Sequence, residues 1–286
     1  QHPRDRRQRQ MCIRDSTQLL AEVDYPREQR MAQAMADGLS RHAALQQSPV
    51  TIRVPQFWPE LCAADVLTME HVEGHRAASL AIAALPQATR DELGKAMLQL
   101  FFAEVFDLGL VQTDPNVGNY LINDDGSELT LLDFGSVFEL DQIVRTALCD
   151  TIVAGLINSE IRLERALVAL GCLKPDAGES AKATFKAFIS NLLEPLRPPE
   201  TLPPEHLNAE GLYCWGRSEL INRTGQHVAR SLTNKEFAIP SGDFAMVARK
   251  LTGVFTFIAV LKAEFNGHDI VAPYLDKVTA GGEISG

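Results

Sequence analysis

Apolar residues in this chain change their spacing several times, and each change marks an element. Between residues 27 and 47 Ala, Met, Gln and Arg dominate, which favours a helix. "TIRVP" (51–55) and "DVLTMEHV" (65–72) are short, rich in β-branched residues and bounded by proline or by Glu73-Gly74, so both read as strands. From Arg90 to Leu108 the apolar positions Leu93, Met97, Leu100, Phe101, Val105 and Leu108 fall on one helical face. Gly109 follows where a C-terminal cap belongs. Two more short strands flank Asp124-Asp125-Gly126, a hairpin turn because Asp and Gly tolerate positive φ. Beyond Glu139 the pattern is helical, broken by "PLRPPETLPP" (195–204), whose five prolines make a stiff connector. Few strands early, many helices late and no internal repeat predict an α+β fold with two lobes.

Composition narrows the classes. With 286 residues, 45% hydrophobic and 22% charged, the chain is an ordinary globular protein. A net charge of −10 argues against a nucleic-acid partner, which would need a basic face. Cys12, Cys62, Cys149, Cys172 and Cys214 are scattered and form no CxxC pair, which suits reduced thiols in a cytoplasmic protein. No signal peptide is visible. The longest apolar stretch, Leu251 to Ala263, contains Thr, Gly and Lys and is too short for a transmembrane helix. With Arg249, Lys250 and Lys262 at its ends, it suits a buried core helix better than one lying on a membrane. Residues 1–16, "QHPRDRRQRQMCIRDS", carry five Arg and no apolar period. They are expected to be foreign or disordered, the credible chain beginning near Thr17.

The chemistry concentrates in "QTDPNVGNYLI" (112–122) and "LLDFGSV" (131–137). Asp114, four residues, Asn119, thirteen residues and then Asp133-Phe134-Gly135 form the D-x4-N and DFG spacing of protein-kinase-like phosphotransferases. Magnesium takes hard oxygen ligands, so Asn119 and Asp133 suit a metal that also grips nucleotide phosphates. Asp114 would orient or deprotonate the attacking hydroxyl or water. Pro115 biases Asp114 towards extended backbone, and Gly135 is expected to permit a turn other residues resist. Singly, each of these residues reads as a strand-end turn residue; together they read as a site. His71, Glu73 and His75 also lie close, but Gly74 interrupts any helix there and a hinge between lobes explains them better than a metal.

Gln112-Thr113 replaces the His-Arg that precedes this Asp in ordinary protein kinases, and no Ala-Pro-Glu follows Gly135, so a protein-substrate docking segment is not evident. "QTDPNVGN…LLDFG" instead resembles the UbiB (AarF) family of atypical kinase-like proteins, which support ubiquinone biosynthesis. "EVDYPRE" (22–28), "VPQFWPE…VLTMEHVEGH" and "FAIPSGDFAMVARKLTGVF" (237–255) extend the likeness over about residues 17–275. The resemblance implies a protein-kinase-like fold with a partial N-lobe at 17–72 and a mostly helical C-lobe at 73–286. It implies ATP and Mg2+ as cofactors, and an ATPase or lipid-directed kinase-like activity. The implied partners are the nucleotide, a lipid or quinone precursor, a membrane surface and a biosynthetic complex, with a cytoplasmic location peripheral to the inner membrane. Carried over by position, Asp114 is the catalytic-loop Asp and Asn119 and Asp133 are the metal ligands. Phe134 and Gly135 complete the nucleotide-side motif, and the hinge at Glu70, His71 and Val72 faces adenine. Glu22 and Asp24 match the E-x-D element, Glu28 lies on the helix equivalent to kinase αC, and either Glu22 or Glu28 would pair the nucleotide lysine. The family's K-x-G-Q element, Ala-rich phosphate loop and strand lysine are not found in these 286 residues, so weak nucleotide binding and slow turnover are expected.

Two other readings compete. A small-molecule phosphotransferase of the aminoglycoside or choline kinase type shares D-x4-N, but "QTDPN" and "DFG" count against it. A non-catalytic, nucleotide-sensing scaffold is opposed by the intact Asp114, Asn119 and Asp133.

Overall fold

The computed structural model describes residues 24–114, 116–223 and 242–279. The basic segment 1–16 with Cys12, and also Glu22, Pro115, His227 and residues 237–241, lie outside the described residues.

Helix α1 (Tyr25–Arg41) starts at Asp24, whose carboxylate accepts from the Arg27 N–H at 3.0 Å, with Pro26 in the first turn. It buries Ala32, Met35 and Leu39, one stripe at helical spacing. The expected single helix to residue 47 is in fact two. His42 is extended (ψ 101°), and its ring caps the short α2 (Ala43–Gln46). Strand β1 (Thr51–Arg53) is where expected. Residues 65–72 are not a strand. They make only the isolated bridges Phe57 to Met69 and Ala63 to Val66, because a three-residue turn at Pro59–Leu61 interrupts the partner segment.

After the short α3 (Leu80–Ala83), helix α4 (Gln87–Phe102) buries Leu93, Met97, Leu100 and Phe101 as predicted. It then widens into a π-helical turn over Ala103–Leu108 and stops at Gly109, whose φ of 67° is the left-handed cap. Arg145 donates to the Val105 and Phe106 carbonyls in this wide turn. Strands β2 (Leu110–Gln112), β3 (Tyr120–Ile122), β4 (Glu128–Leu131) and β5 (Val137–Glu139) follow. The predicted hairpin is β3–β4, antiparallel with Tyr120 opposite Leu131 and with Gly126 at φ 76° in the turn. Two features are additions. β1 lies parallel to β4, giving the sheet order β1-β4-β3, and β2 pairs antiparallel with β5 in a separate two-stranded sheet.

The rest is helical: α5 (Gln142–Leu156), α6 (Glu160–Ala169), α7 (Glu179–Leu192), α8 (Gly242–Val260) and α9 (His268–Thr279). The proline-rich connector forms three single turns, Glu194–Leu196, Pro199–Thr201 and Pro204–His206. Helix α8 packs against α4, and its Leu251, Val254, Phe255, Phe257 and Ile258 are buried. The apolar stretch is therefore a core helix, each large side chain contributing roughly 1.5–3 kcal/mol. Among the described residues no helix is long and apolar enough to cross a membrane. Lys250, expected as an end charge, sits instead inside this core, 1% exposed.

Candidate active site

The loop between β2 and β3 and the strand end after β4 meet. Asp114 leaves β2; Asn119 closes the turn Val117–Asn119, which Asn116 starts by accepting from the Gly118 N–H at 2.9 Å. Asp133 follows β4, and its register to the loop is held by the Leu132 N–H donating to the Asn119 carbonyl at 2.9 Å. The Asn119 side-chain amide donates to Asp114 Oδ2 at 2.7 Å and to Asp133 Oδ2 at 3.3 Å. The three residues singled out by spacing thus share one site. The β2–β5 sheet closes its other side: the Thr113 N–H and hydroxyl both donate to the Ser136 carbonyl, at 3.1 and 2.8 Å.

Helix α1 completes the wall. Glu28 accepts from the Phe134 N–H at 3.3 Å, and Arg27 donates to the carbonyls of Gly135 at 2.8 Å and Val137 at 2.6 Å. Burial pushes the Asp133 carboxyl above its ordinary range. The Gly135 N–H, 2.9 Å from Oδ1, opposes this, and the charge of Asp114 adds to it. Glu28 is raised by burial too, against the Phe134 N–H and with a contribution from Asp133. The facing cation is Arg249 at the surface of α8, 3.7 Å from Asp114 Oδ1.

This donor set fits a divalent cation. The Asn119 amide bridges the Asp114 and Asp133 carboxylates where a cation would neutralise both, and the three carboxylates of this wall outnumber its two arginines, Arg249 near Asp114 and Arg27 beside Glu28. Among the described residues no three His, Cys, Asp or Glu side chains assemble as a metal site; the ligands on offer are the Asp133 carboxylate and the amide oxygen of Asn119, whose nitrogen is taken by the carboxylates, which leaves positions for phosphate and water.

The other expected residues have these surroundings. Phe134 is fully buried and packs edge-on against Phe57 with centroids 6.1 Å apart, so its ring anchors the motif in the core. Gly135 does not adopt positive φ, and an added Cβ would lie 3.5 Å from Asp133 Oδ1 and Glu28 Oε2, an ordinary contact, so the special turn expected there is absent. Asp24 is the α1 cap. Glu70 is held by Arg53 and by the Gln56 N–H, which with the arginine keeps its carboxyl below the usual range. No hydrogen bond or ion pair joins Glu70, His71 or Val72 to Asp114, Asn119 or Asp133 among the described residues. His75 pairs with Asp124 at 2.9 Å and bridges to Ile122, a structural tie.

Sequence reasoning missed a second polar cluster behind the loop. Lys250 Nζ lies 3.1 Å from Gln112 Oε1, 3.1 Å from the Tyr120 hydroxyl and 3.2 Å from Glu104 Oε2, all of them buried. The Tyr120 hydroxyl donates to Gln112 Oε1 at 2.8 Å. Burial pushes the Glu104 carboxyl up, against the attraction of Lys250. A signal existed. Val247, Lys250, Val254 and Phe257 share one helical face, as do Met97, Leu100, Phe101 and Glu104, so each charge sits in an apolar stripe.

A polar loop between two small sheets, a DFG strand end and a helical core define the protein-kinase-like class. Residues 4–165 match the ABC1 atypical kinase-like domain, and the chain belongs to that family, the UbiB family of atypical kinases. Atypical kinase COQ8, mitochondrial, of Schizosaccharomyces pombe is 25% identical over 243 residues, 85% of this chain and 37% of that protein. Atypical kinase COQ8B, mitochondrial, of Danio rerio is 27% identical over 87% of this chain and 36% of its own length. The chain therefore spans little more than a third of these relatives. Among solved structures, the Rv3197–erythromycin complex from Mycobacterium tuberculosis shares the fold, with a TM-score of 0.58 and 20% identity over 88% of this chain and 57% of that one.

Proposed function

We propose that this chain carries the metal- and phosphate-holding half of an ATP-dependent atypical kinase or ATPase, with MgATP as cofactor. The observation behind this reading is the convergence of Asp114, Asn119 and Asp133 through one bridging amide. Bound magnesium would offset the charge of the transferring phosphoryl group. Asp133 and Asn119 would hold it. Asp114, with one oxygen on the Asn119 amide and the other near Arg249, is oriented to accept the proton of an attacking hydroxyl or water. Arg27 fixes the backbone of Gly135 and Val137 and so keeps Asp133 aimed at the loop.

The likeness to mitochondrial COQ8 relatives supports a role in ubiquinone biosynthesis, with a lipid or quinone precursor, a membrane surface or a biosynthetic complex as partner. Turnover by the 286-residue polypeptide is slow on this reading, since the family lysine is not among its residues. Magnesium-dependent binding of a fluorescent ATP analogue tests the proposal. Asp133→Asn should weaken it at least tenfold while leaving the melting temperature unchanged or higher, because the substituted carboxylate is one that burial and Asp114 disfavour. Equal affinity in the two proteins would remove the metal-holding role.

A further inference from the structure

The loop that carries Asp114 and Asn119 runs from one sheet to another. Gln112 ends β2, which among the described residues pairs only with β5, and Tyr120 begins β3, in the β1-β4-β3 sheet. Backbone ladders alone would let the two sheets shift against each other and carry the loop's ends with them. The buried cluster behind the loop joins those two ends directly. Lys250 has three N–H donors, and three acceptor groups surround it: Gln112 Oε1, the Tyr120 hydroxyl and the Glu104 carboxylate. The hydroxyl of Tyr120 in turn donates to Gln112, so the two ends are bonded to each other and to the same cation.

Such a cluster is a poor source of stability, because removing two charges from water offsets much of their mutual attraction. What it supplies is direction. Each hydrogen bond has a fixed geometry in a low-dielectric surrounding, so the four groups tolerate little displacement. Glu104 belongs to the π-helical turn after α4, and Lys250 to α8, so the cluster refers the loop to the two helices at the centre of the core. The neighbouring Arg249 on α8 is exposed and lies 3.7 Å from Asp114. One helix thus reaches the loop with a buried cation and an exposed one.

We propose that Lys250 is the positioning residue of this site, holding Gln112 and Tyr120 so that helix α8 sets where Asp114 and Asn119 stand. This rests on the MgATP reading for its consequence but not for its geometry, and the experiment separates the two. Glu104→Gln combined with Lys250→Met in the same 286-residue chain removes both charges together and strands neither. Amide hydrogen exchange is then measured along the chain, with magnesium-dependent binding of the ATP analogue alongside. The expected result is a folded protein whose amides at 116–122 exchange at least tenfold faster, while those of α6, which packs on α5 and α7 and not on the cluster, keep wild-type rates. The magnesium concentration for half-maximal nucleotide binding should rise at least tenfold. A merely structural role would loosen the core evenly and leave the loop no worse than the helices. If the double variant does not fold, Tyr120→Phe removes one hydroxyl and should still speed loop exchange about threefold. Wild-type exchange at 116–122 in either folded variant overturns the proposal. If the wild-type chain itself shows no magnesium-dependent nucleotide binding, the functional reading fails while the exchange data still decide whether Lys250 positions the loop.

Discussion

Two polar clusters stand on opposite sides of the same loop, and they are built differently. In front, Asp114, Asp133 and Glu28 meet a neutral amide and only two arginines, Arg27 beside Glu28 and the half-exposed Arg249 near Asp114. Behind, Glu104 and Lys250 balance each other inside the core, and Gln112 and Tyr120 accept the other hydrogen bonds of Lys250. An open cluster with surplus charge gains by binding a counter-ion. A buried cluster with balanced charge carries no surplus to attract a counter-ion and holds its neighbours instead. The contrast gives a rule for substitutions here: changes in front should cost binding and spare stability, and changes behind should do the reverse or both.

The largest expected effect comes from breaking the rear pair on one side only. Lys250→Met leaves a carboxylate buried without its cation, and unfolding in urea at pH 8 should show a loss of about 3 kcal/mol. The double variant with Glu104→Gln should recover most of that, a coupling of about 2 kcal/mol between the two positions. Equal losses in single and double variants would mean the pair is not the unit described.

An effect of similar size should appear with pH alone. Burial raises the Glu104 carboxyl from 4.5 to about 7, so the native state keeps this proton where the unfolded chain has already released it. Lys250, Tyr120 and Gln112 are the groups that face it. Its contribution to stability is present in full below pH 4.5 and is lost as pH rises through about 7. The change between those limits is on the order of 3 kcal/mol. Measured against Glu104→Gln, wild-type stability should therefore drop across this window and level off above it. A flat difference from pH 4.5 to 8 would contradict the buried, raised carboxyl.

The front cluster was legible in the sequence and the rear one was not, for a physical reason. Asp114, Asn119 and Asp133 sit on one loop and one adjoining hairpin, so short-range spacing alone brings them together. The hairpin turn and the Gly109 cap were legible because each depends on one residue's tolerance of positive φ. Lys250 meets Gln112 and Tyr120 from 138 and 130 residues away, and Arg27 reaches Gly135 across 108, distances at which a single sequence gives no register. The β2–β5 ladder escaped notice because three-residue strands carry too little periodicity. Residues 65–72 misled in the opposite direction: β-branched residues between turn signals suggested a strand, but its partner bends away at Pro59–Leu61.

The smallest effect expected on the loop is the one that best sharpens the comparison. The β3–β4 hairpin also reaches the site, through Asn119 at one end and Asp133 at the other, so it competes with Lys250 as the element that sets the geometry. Gly126 at its far tip has φ 76°, and an added Cβ would lie 2.5 Å from Thr89 Cγ2 and 3.1 Å from Leu85 Cδ1. Gly126→Ala should therefore cost about 1–2 kcal/mol in unfolding experiments. The strain enters at the turn, with the Tyr120–Leu131 end of the ladder and the rear cluster between it and Asp114. Hydrogen exchange at 116–122 and magnesium-dependent nucleotide binding should both remain at wild-type values. If loop exchange rose in this variant as it does when Lys250 is lost, the hairpin would share the positioning role, and the division between a binding front and a holding rear would have to be redrawn.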